Sequence, residues 1–317
     1  MIQKLAKNQS WQTNYVEKNL MLNCSYETYR HTVTKDLNIA FTKLDHEKCE
    51  KCEIFYLHNK DQNENNLSRD CLECVNWQDH KRNAEIMRKN YTKDKEKKCD
   101  QNNIYYSTDM QKIIMLPRLP MFKQVFFCPR IIAYHESFVP LGKVKQNFGK
   151  PFAALWHEGI SGRNKEDIIS AVYAFFLKNK DCKNITVWVD NCTAQNKNWC
   201  FFSFLIYAVN AQGTAIEKIT IKYFESGHTF MSADSFHHQV EINLRKIEKV
   251  YDFEDFSRAV DNVGNINVKE MTCADFYKWP TMTSTYQLKK NEAPRLKNLS
   301  MVESRRGSKI LFYKTIP

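Results

Sequence analysis

The order in which strand-like and helix-like runs follow one another between residues 103 and 250 constrains the fold most. "NIYYSTDMQKIIML", "QVFFCPRIIAYHESFVPL" and "PFAALWHEG" are rich in β-branched and aromatic residues and read as three consecutive strands. "NKEDIISAVYAFFLKN" (164–179) then sets apolar residues at 168, 169, 172, 175 and 176, which is helical spacing. It opens with Asn164 in a capping position and Asp167 as the acid of a capping box. "ITVWVD" is a strand, and "NWCFFSFLIYAVNA" is apolar nearly all round and too long for an ordinary strand, so it reads as a buried helix. "EKITIKYFESGH" is a fifth strand and "ADSFHHQVEINLRKIEKV" a third helix. An order β-β-β-α-β-α-β-α predicts a mixed sheet covered by helices.

That succession is the ribonuclease H-like order. The expected fold is therefore α/β: a ribonuclease H-like mixed five-stranded sheet flanked by helices over residues 101–250. Residues 1–100 are polar, rich in Lys and Asn, and read as a mainly helical, basic module. Within it "HKRNAEIMRKNYTKDKEKK" (80–98) has helical spacing through Ala84, Met87 and Tyr91, and "DQNENNLSRD" (61–70) reads as a solvated loop. Residues 251–317 form a small α/β extension, with "VYDFEDFSRAV" helical and "SKILFYKTI" a strand.

Placed on this order, the acids converge. Asp109 lies in the first strand and Asp190 ends the fourth, its neighbour in such a sheet. Asp234, His237 and Glu241 lie at i, i+3 and i+7 of the last helix, on one face. Close carboxylates repel and are costly to bury unpaired. Oxygen-ligated Mg²⁺ or Mn²⁺ resolves the conflict, and two such ions clamp an in-line phosphoryl displacement. Asp109, Asp190, Asp234 and Glu241, with His237, are the expected catalytic residues. Glu158, at the end of the third strand, is a further candidate ligand, and His228 a candidate for orienting a phosphate or a carboxylate. Gln195, Asn196, Lys197 and Asn198 are expected to open a helix with exposed amides.

The cysteines point to a second kind of metal. "KCEKCEIF" and "DCLECVNWQDH" give Cys49-x-x-Cys52 and Cys71-x-x-Cys74, with His80 six residues on. Paired CxxC knuckles fit one tetrahedral, structural Zn²⁺. The chain carries 11 cysteines, and its first 20 residues lack an apolar signal region, so reduced or metal-bound thiols and a nuclear or cytoplasmic, non-secreted protein are expected. No window approaches ~18 uninterrupted apolar residues, so no membrane span is expected. A formal charge of +11 favours a polyanionic partner such as nucleic acid, and leaves oligomerisation open. A phosphate-binding GxxxxGK[ST] loop is missing from the sequence, since the glycines and lysines of "GKVKQNFGK" are wrongly spaced.

Four motifs carry a family resemblance: "D-[LM]-Q-K" at Asp109–Lys112, "W-x-E" at Trp156–Glu158, "D-N-C-x-x-Q-N-K-N" at Asp190–Asn198, and "G-H-T-x(4)-D-x-x-H-x(3)-E" from Gly227 to Glu241. In these the chain resembles uncharacterised, transposon-derived proteins of animal genomes over most of residues 1–260. The resemblance implies a ribonuclease H-like core of the DDE transposase or nuclease type, with DNA in particular as the partner and Asp109, Asp190 and either Asp234 or Glu241 as metal-binding acids. It also implies Cys49, Cys52, Cys74 and His80 as an alternative zinc set. The chain starts close to where this region starts in relatives, which leaves room for a DNA-targeting segment upstream. "WHEGISGRN" departs from the family pattern, with His157 where relatives carry aspartate. That change, and "NQSWQTNY" in place of a "SHY"-like motif, fit the alternative of a domesticated, inactive descendant that binds nucleic acid or protein.

Overall fold

Strands in the computed structural model form where β-branched and aromatic residues run together, and helices where the apolar period lengthens. Described are residues 49–59, 71–97, 99–142, 149–286, 288 and 293–315, with isolated positions 25, 28, 31 and 32. Cys49–Pro317 is one compact unit. The expected loop at 61–70 and the "NQSWQTNY" stretch lie outside the described residues.

Helices α1 (Glu50–His58) and α2 (Leu72–Glu96) precede the sheet. The sheet then begins with β1 (Asn103–Met110), β2 (Ile114–Leu116), β3 (Ile131–Pro140) and β4 (Phe152–His157). Next come α3 (Lys165–Lys178), β5 (Asn184–Val189), α4 (Trp199–Asn210), β6 (Lys218–Tyr223) and α5 (Ser232–Ile247). The tail supplies α6 (Phe253–Asp261), β7 (Asn267–Glu270), the short α7 (Trp279–Met282), β8 (Leu299–Arg305) and β9 (Leu311–Thr315). Among the described residues, nine strands make one sheet in the order β7-β4-β3-β1-β5-β6-β8-β9, with β2 paired to β3. β1 runs antiparallel to β3 and parallel to β5, and β5 runs parallel to β6.

The centre of this sheet is the mixed one expected, but it is wider than five strands. The tail is not a separate extension: β7 lies parallel to β4 on one edge, and β8 lies antiparallel to β6 on the other. Without them β4 and β6 would present unpaired amides and carbonyls. β7 was unforeseen because "NVKE" is polar and half-exposed throughout, with no alternation to read. The run "QVFFCPR" is not strand. It is a 3-10 turn over Lys123–Phe127, and β3 starts only beyond Pro129, whose missing N–H cannot join a ladder.

Helices cover both faces. On one, Phe175 of α3 stacks on Phe138 at 4.3 Å between ring centroids, and Phe176 stacks on Phe204 of α4 at 5.8 Å. α4 is apolar all round because its outer side is covered too, by Trp279 of the tail, 4.7 Å from Phe204. The box foreseen at the start of α3 is present, Asp167 accepting the backbone N–H of Asn164 at 2.7 Å. On the other face, Phe236, Val240 and Leu244 of α5 and Phe256 of α6 pack over Ala133, Val139 and Leu155.

α2 is tied to the sheet by a buried charge. Asp94, 2% exposed, accepts hydrogen bonds from Trp188 Nε1 at 2.9 Å, Lys222 Nζ at 2.6 Å and Lys97 Nζ at 2.7 Å. Burial alone would raise its pKa, but these three donors outweigh it and hold the carboxyl below its usual range. Asp94→Ala strands a lysine and an indole N–H, and is expected to cost about 3–5 kcal/mol, or about 10 °C in Tm. Thermal unfolding checks this, and a shift under about 2 °C would show that α2 is held by other means.

Candidate functional site

Two clusters meet around the segment between β6 and α5. The first is acidic. Ser107 of β1 pairs with Trp188 of β5, so Asp109 and Asp190, each two residues further on, stand at the same level of adjacent parallel strands. α5 begins beside them: the backbone N–H of Ala233 donates to Ser107 Oγ at 3.1 Å. Asp234 is the third residue of α5, and its Oδ2 accepts the N–H of Met231 at 2.7 Å.

The charges of this trio act on one another. Burial, then the charges of Glu136, Asp190 and Asp234, push the Asp109 carboxyl up to about 8. Asp190 is raised by burial and by Asp234, against the pull of two donors: the N–H of Cys192 at 3.2 Å and the side-chain amide of Asn196 at 2.6 Å. The trio does not close to the 4.8 Å mutual spacing reached by the cysteine and histidine clusters among the described residues. His237 lies one turn beyond Asp234. Its Nε2 is 2.7 Å from Ser137 Oγ and its Nδ1 is 3.7 Å from Asp109 Oδ2. Burial depresses it to about 4, so it is a neutral imidazole at pH 7.

Glu241 does not join this group. It forms a two-point ion pair with Arg118, at 2.7 and 3.1 Å, and a looser one with Arg245. Seven residues along a helix advance about 10 Å, which carries Glu241 past the acids although it shares their face. Glu158 Oε1 accepts the backbone N–H of Ile132 at 2.9 Å. Asn196 and Lys197 are buried rather than exposed, and α4 starts only at Trp199, with Asn198 as its cap. Lys197 Nζ donates to the carbonyl of Leu299 at 2.6 Å and lies over the Tyr223 ring.

Glu136 was not anticipated. It is buried on β3, accepts from Thr108 Oγ1 at 2.7 Å, and is pushed up to about 8, chiefly by burial. A lone acid in the apolar run "IIAYHESFVP" was the available signal.

The raised carboxyls set a sign for pH dependence. Between about 4 and about 8 folded Asp109 keeps a proton that the unfolded chain releases, so stability falls as pH rises through that window. Asp109→Asn removes this loss. The variant should match the wild type near pH 4 and exceed it at pH 8 by about 2–4 kcal/mol, less than a fully buried carboxyl would give because the side chain is 27% exposed. Denaturant unfolding at both pH values measures it, and parallel pH profiles for the two proteins would refute it.

The second cluster is made of sulfur and imidazole. Cys49, Cys52, His80 and His228 present their ligand atoms within 4.8 Å of one another. Cys49 Sγ is 3.1 Å from His80 Nε2, Cys52 Sγ is 3.4 Å from His228 Nε2, and the two Nε2 atoms are 3.0 Å apart. Tetrahedral zinc with bonds of ~2.3 Å to sulfur and ~2.0 Å to nitrogen holds its ligands roughly 3.3–3.8 Å apart, so donors and spacing fit such an ion. His80 Nδ1 meets Glu225 Oε1 at 2.9 Å, the carboxylate contact that orients a metal-bound histidine. Gly227 allows the approach: its φ is +76°, and a Cβ there would lie 2.7 Å from Cys49 Sγ.

This grouping differs from both sets expected from sequence. Cys49, Cys52 and His80 do come together, but the fourth member is His228, and Cys71 and Cys74 lie elsewhere, beside His58. The loop carrying His228 is held by α2 in further ways. Arg88 donates to the carbonyls of His228 and Phe230, and Tyr91 OH is 3.0 Å from Ser232 Oγ. The Cys/His cluster and α2 therefore fix the segment that delivers Asp234.

A protein-family model described as a domain of unknown function (DUF7869) matches residues 167–317, a span that contains Asp190, His228 and Asp234 but not Asp109 or the paired cysteines. No curated protein and no solved structure matches the chain. Among the described residues no helix is long and apolar enough to cross a membrane.

Proposed function

We propose that this chain is a DNA phosphoryl-transfer enzyme of the DDE transposase or nuclease type, built on a ribonuclease H-like core. The observation that carries the reading is the convergence of Asp109 and Asp190, level on β1 and at the end of β5, with Asp234 at the start of α5, whose charge raises the pKa of both. The strand order β4-β3-β1-β5-β6, antiparallel on one side of β1 and parallel on the other, supports the fold assignment.

Carboxylates crowded closely enough that Asp190 and Asp234 raise the pKa of Asp109 suit hard divalent cations, and Asp109, Asp190 and Asp234 are the residues that would hold Mg²⁺ or Mn²⁺. Such cations supply charge neutralisation and an acidified water at a phosphodiester. The chain's own contribution is positional. Asn196 and the Cys192 N–H fix one oxygen of Asp190, and neutral His237, steadied by Ser137, stands beside Asp109 and helps to position it. The net charge of +11 favours DNA as the substrate. Zn²⁺ on Cys49, Cys52, His80 and His228 would be structural, with all four positions filled by protein.

Supercoiled plasmid incubated with the full chain tests the reading. Conversion to open circles in Mn²⁺ or Mg²⁺, and none when the divalent ion is omitted, is expected. A folded chain that leaves DNA intact with either ion, yet binds it in a salt-sensitive way, would instead identify an inactive descendant.

A further inference from the structure

The cysteine pair left outside the first cluster has partners of its own. His58, the last residue of α1, brings Nε2 to 3.1 Å from Cys71 Sγ and 3.9 Å from Cys74 Sγ. The three ligand atoms all lie within 4.8 Å of one another. Glu73 adds an oxygen, Oε2, at 3.3 Å from Cys71 Sγ. Two thiols and an imidazole are three of the four donors of a zinc site, and their separations bracket those around one tetrahedral ion, while the Glu73 carboxylate touches Cys71 without joining the group.

We propose that the chain carries a second zinc ion on His58, Cys71 and Cys74, so that two ions staple the α1–α2 hairpin at its two ends. The helices are antiparallel partners. The first cluster joins the start of α1 (Cys49, Cys52) to the third turn of α2 (His80). The second joins the end of α1 (His58) to the start of α2 (Cys71, Cys74).

Between the two clusters the buried apolar contact is small: Phe55, Cys74 and Trp77, with Phe55 and Trp77 stacked at 3.9 Å. Ile54, Leu57 and Leu72 of the hairpin remain 59%, 72% and 69% exposed and bury little. A 9-residue helix such as α1 does not hold its form alone, and so small a core needs cross-links at both ends. Cys49, Cys52, Cys71 and Cys74 are all free thiols, able to supply them through metal.

Zinc counted per chain in the purified full-length protein, without reference to activity, tests this independently of the acids. The wild type should hold two equivalents. His58→Ala and Cys71→Ser should each lose one, as should Cys49→Ser, while a Cys49→Ser/His58→Ala double variant should lose both. His58 is exposed, so its variant folds even if replacement of a cysteine disturbs the helix. Wild-type zinc content retained in both His58→Ala and Cys71→Ser overturns the proposal.

Discussion

Asp190→Ala is expected to lower divalent-cation-dependent DNA nicking by at least about a thousandfold, and Asp234→Ala by a similar factor, because each removes an oxygen ligand that no neighbour replaces. Glu241→Gln is expected to stay within about threefold of the wild type, since its carboxylate is held by Arg118 and lies about 10 Å along the helix from Asp234. The contrast decides which residue of α5 is the third acid. Asn196→Ala should fall between these limits, because it loosens Asp190 without deleting it. Each variant is compared at equal folded concentration, as judged by circular dichroism, in Mn²⁺ and in Mg²⁺. Equal nicking by the wild type and Asp190→Ala would mean that the acid trio has no part in the chemistry; loss in Glu241→Gln with Asp234→Ala active would exchange their roles.

Stripping zinc from the chain is expected to expose two stretches together that are far apart in sequence: α1 with the first turns of α2, and the loop between β6 and α5. A filled Cys/His site is worth about 10 kcal/mol or more in small zinc modules, and here part of that free energy holds a loop of the sheet domain. Amide exchange in residues 50–58, 72–80 and 224–231 should quicken by about a hundredfold on treatment with a zinc chelator, while β1 and β5 keep their protection. Cys49→Ser should loosen 224–231 in the same way without chelator, while the ion on His58, Cys71 and Cys74 still holds the end of α1 to the start of α2. Because Asp234 begins the helix that this loop feeds, nicking should fall as the loop loosens, and zinc should restore both. Unchanged exchange in 224–231, with residues 50–58 loosened, would show that His228 is not part of the clasp.

The sequence was most legible where one period dominated. β1, β4, β5, β6 and the helices α3, α4 and α5 all fall where strand or helix spacing is unmixed. Asp109 and Asp190 were legible because parallel neighbours in register bring equal offsets to one level. Glu241 was misplaced for a reason of length, since a shared helix face says nothing about distance along the axis. The metal ligands were legible as residue types but not as partners. Spacing alone cannot show that α1 and α2 lie antiparallel, and that is what separates the two CxxC pairs. Nor can it show His228 arriving beside His80 from 148 residues away. His58, Glu136 and Arg88 carry no motif at all; their roles come from packing.

The tail strands have a consequence for how the chain can be divided. Ending it after α5 would keep every acid and every Cys/His ligand, yet β7 and β8 would go with the tail. β4 is apolar and buried and β6 is mostly buried, and each would then offer an open row of main-chain donors and acceptors to its copies. Such a shortened protein would hold every residue of the proposed sites on a surface prone to self-association, so the last 70 or so residues act as the guard on the two edges of the sheet.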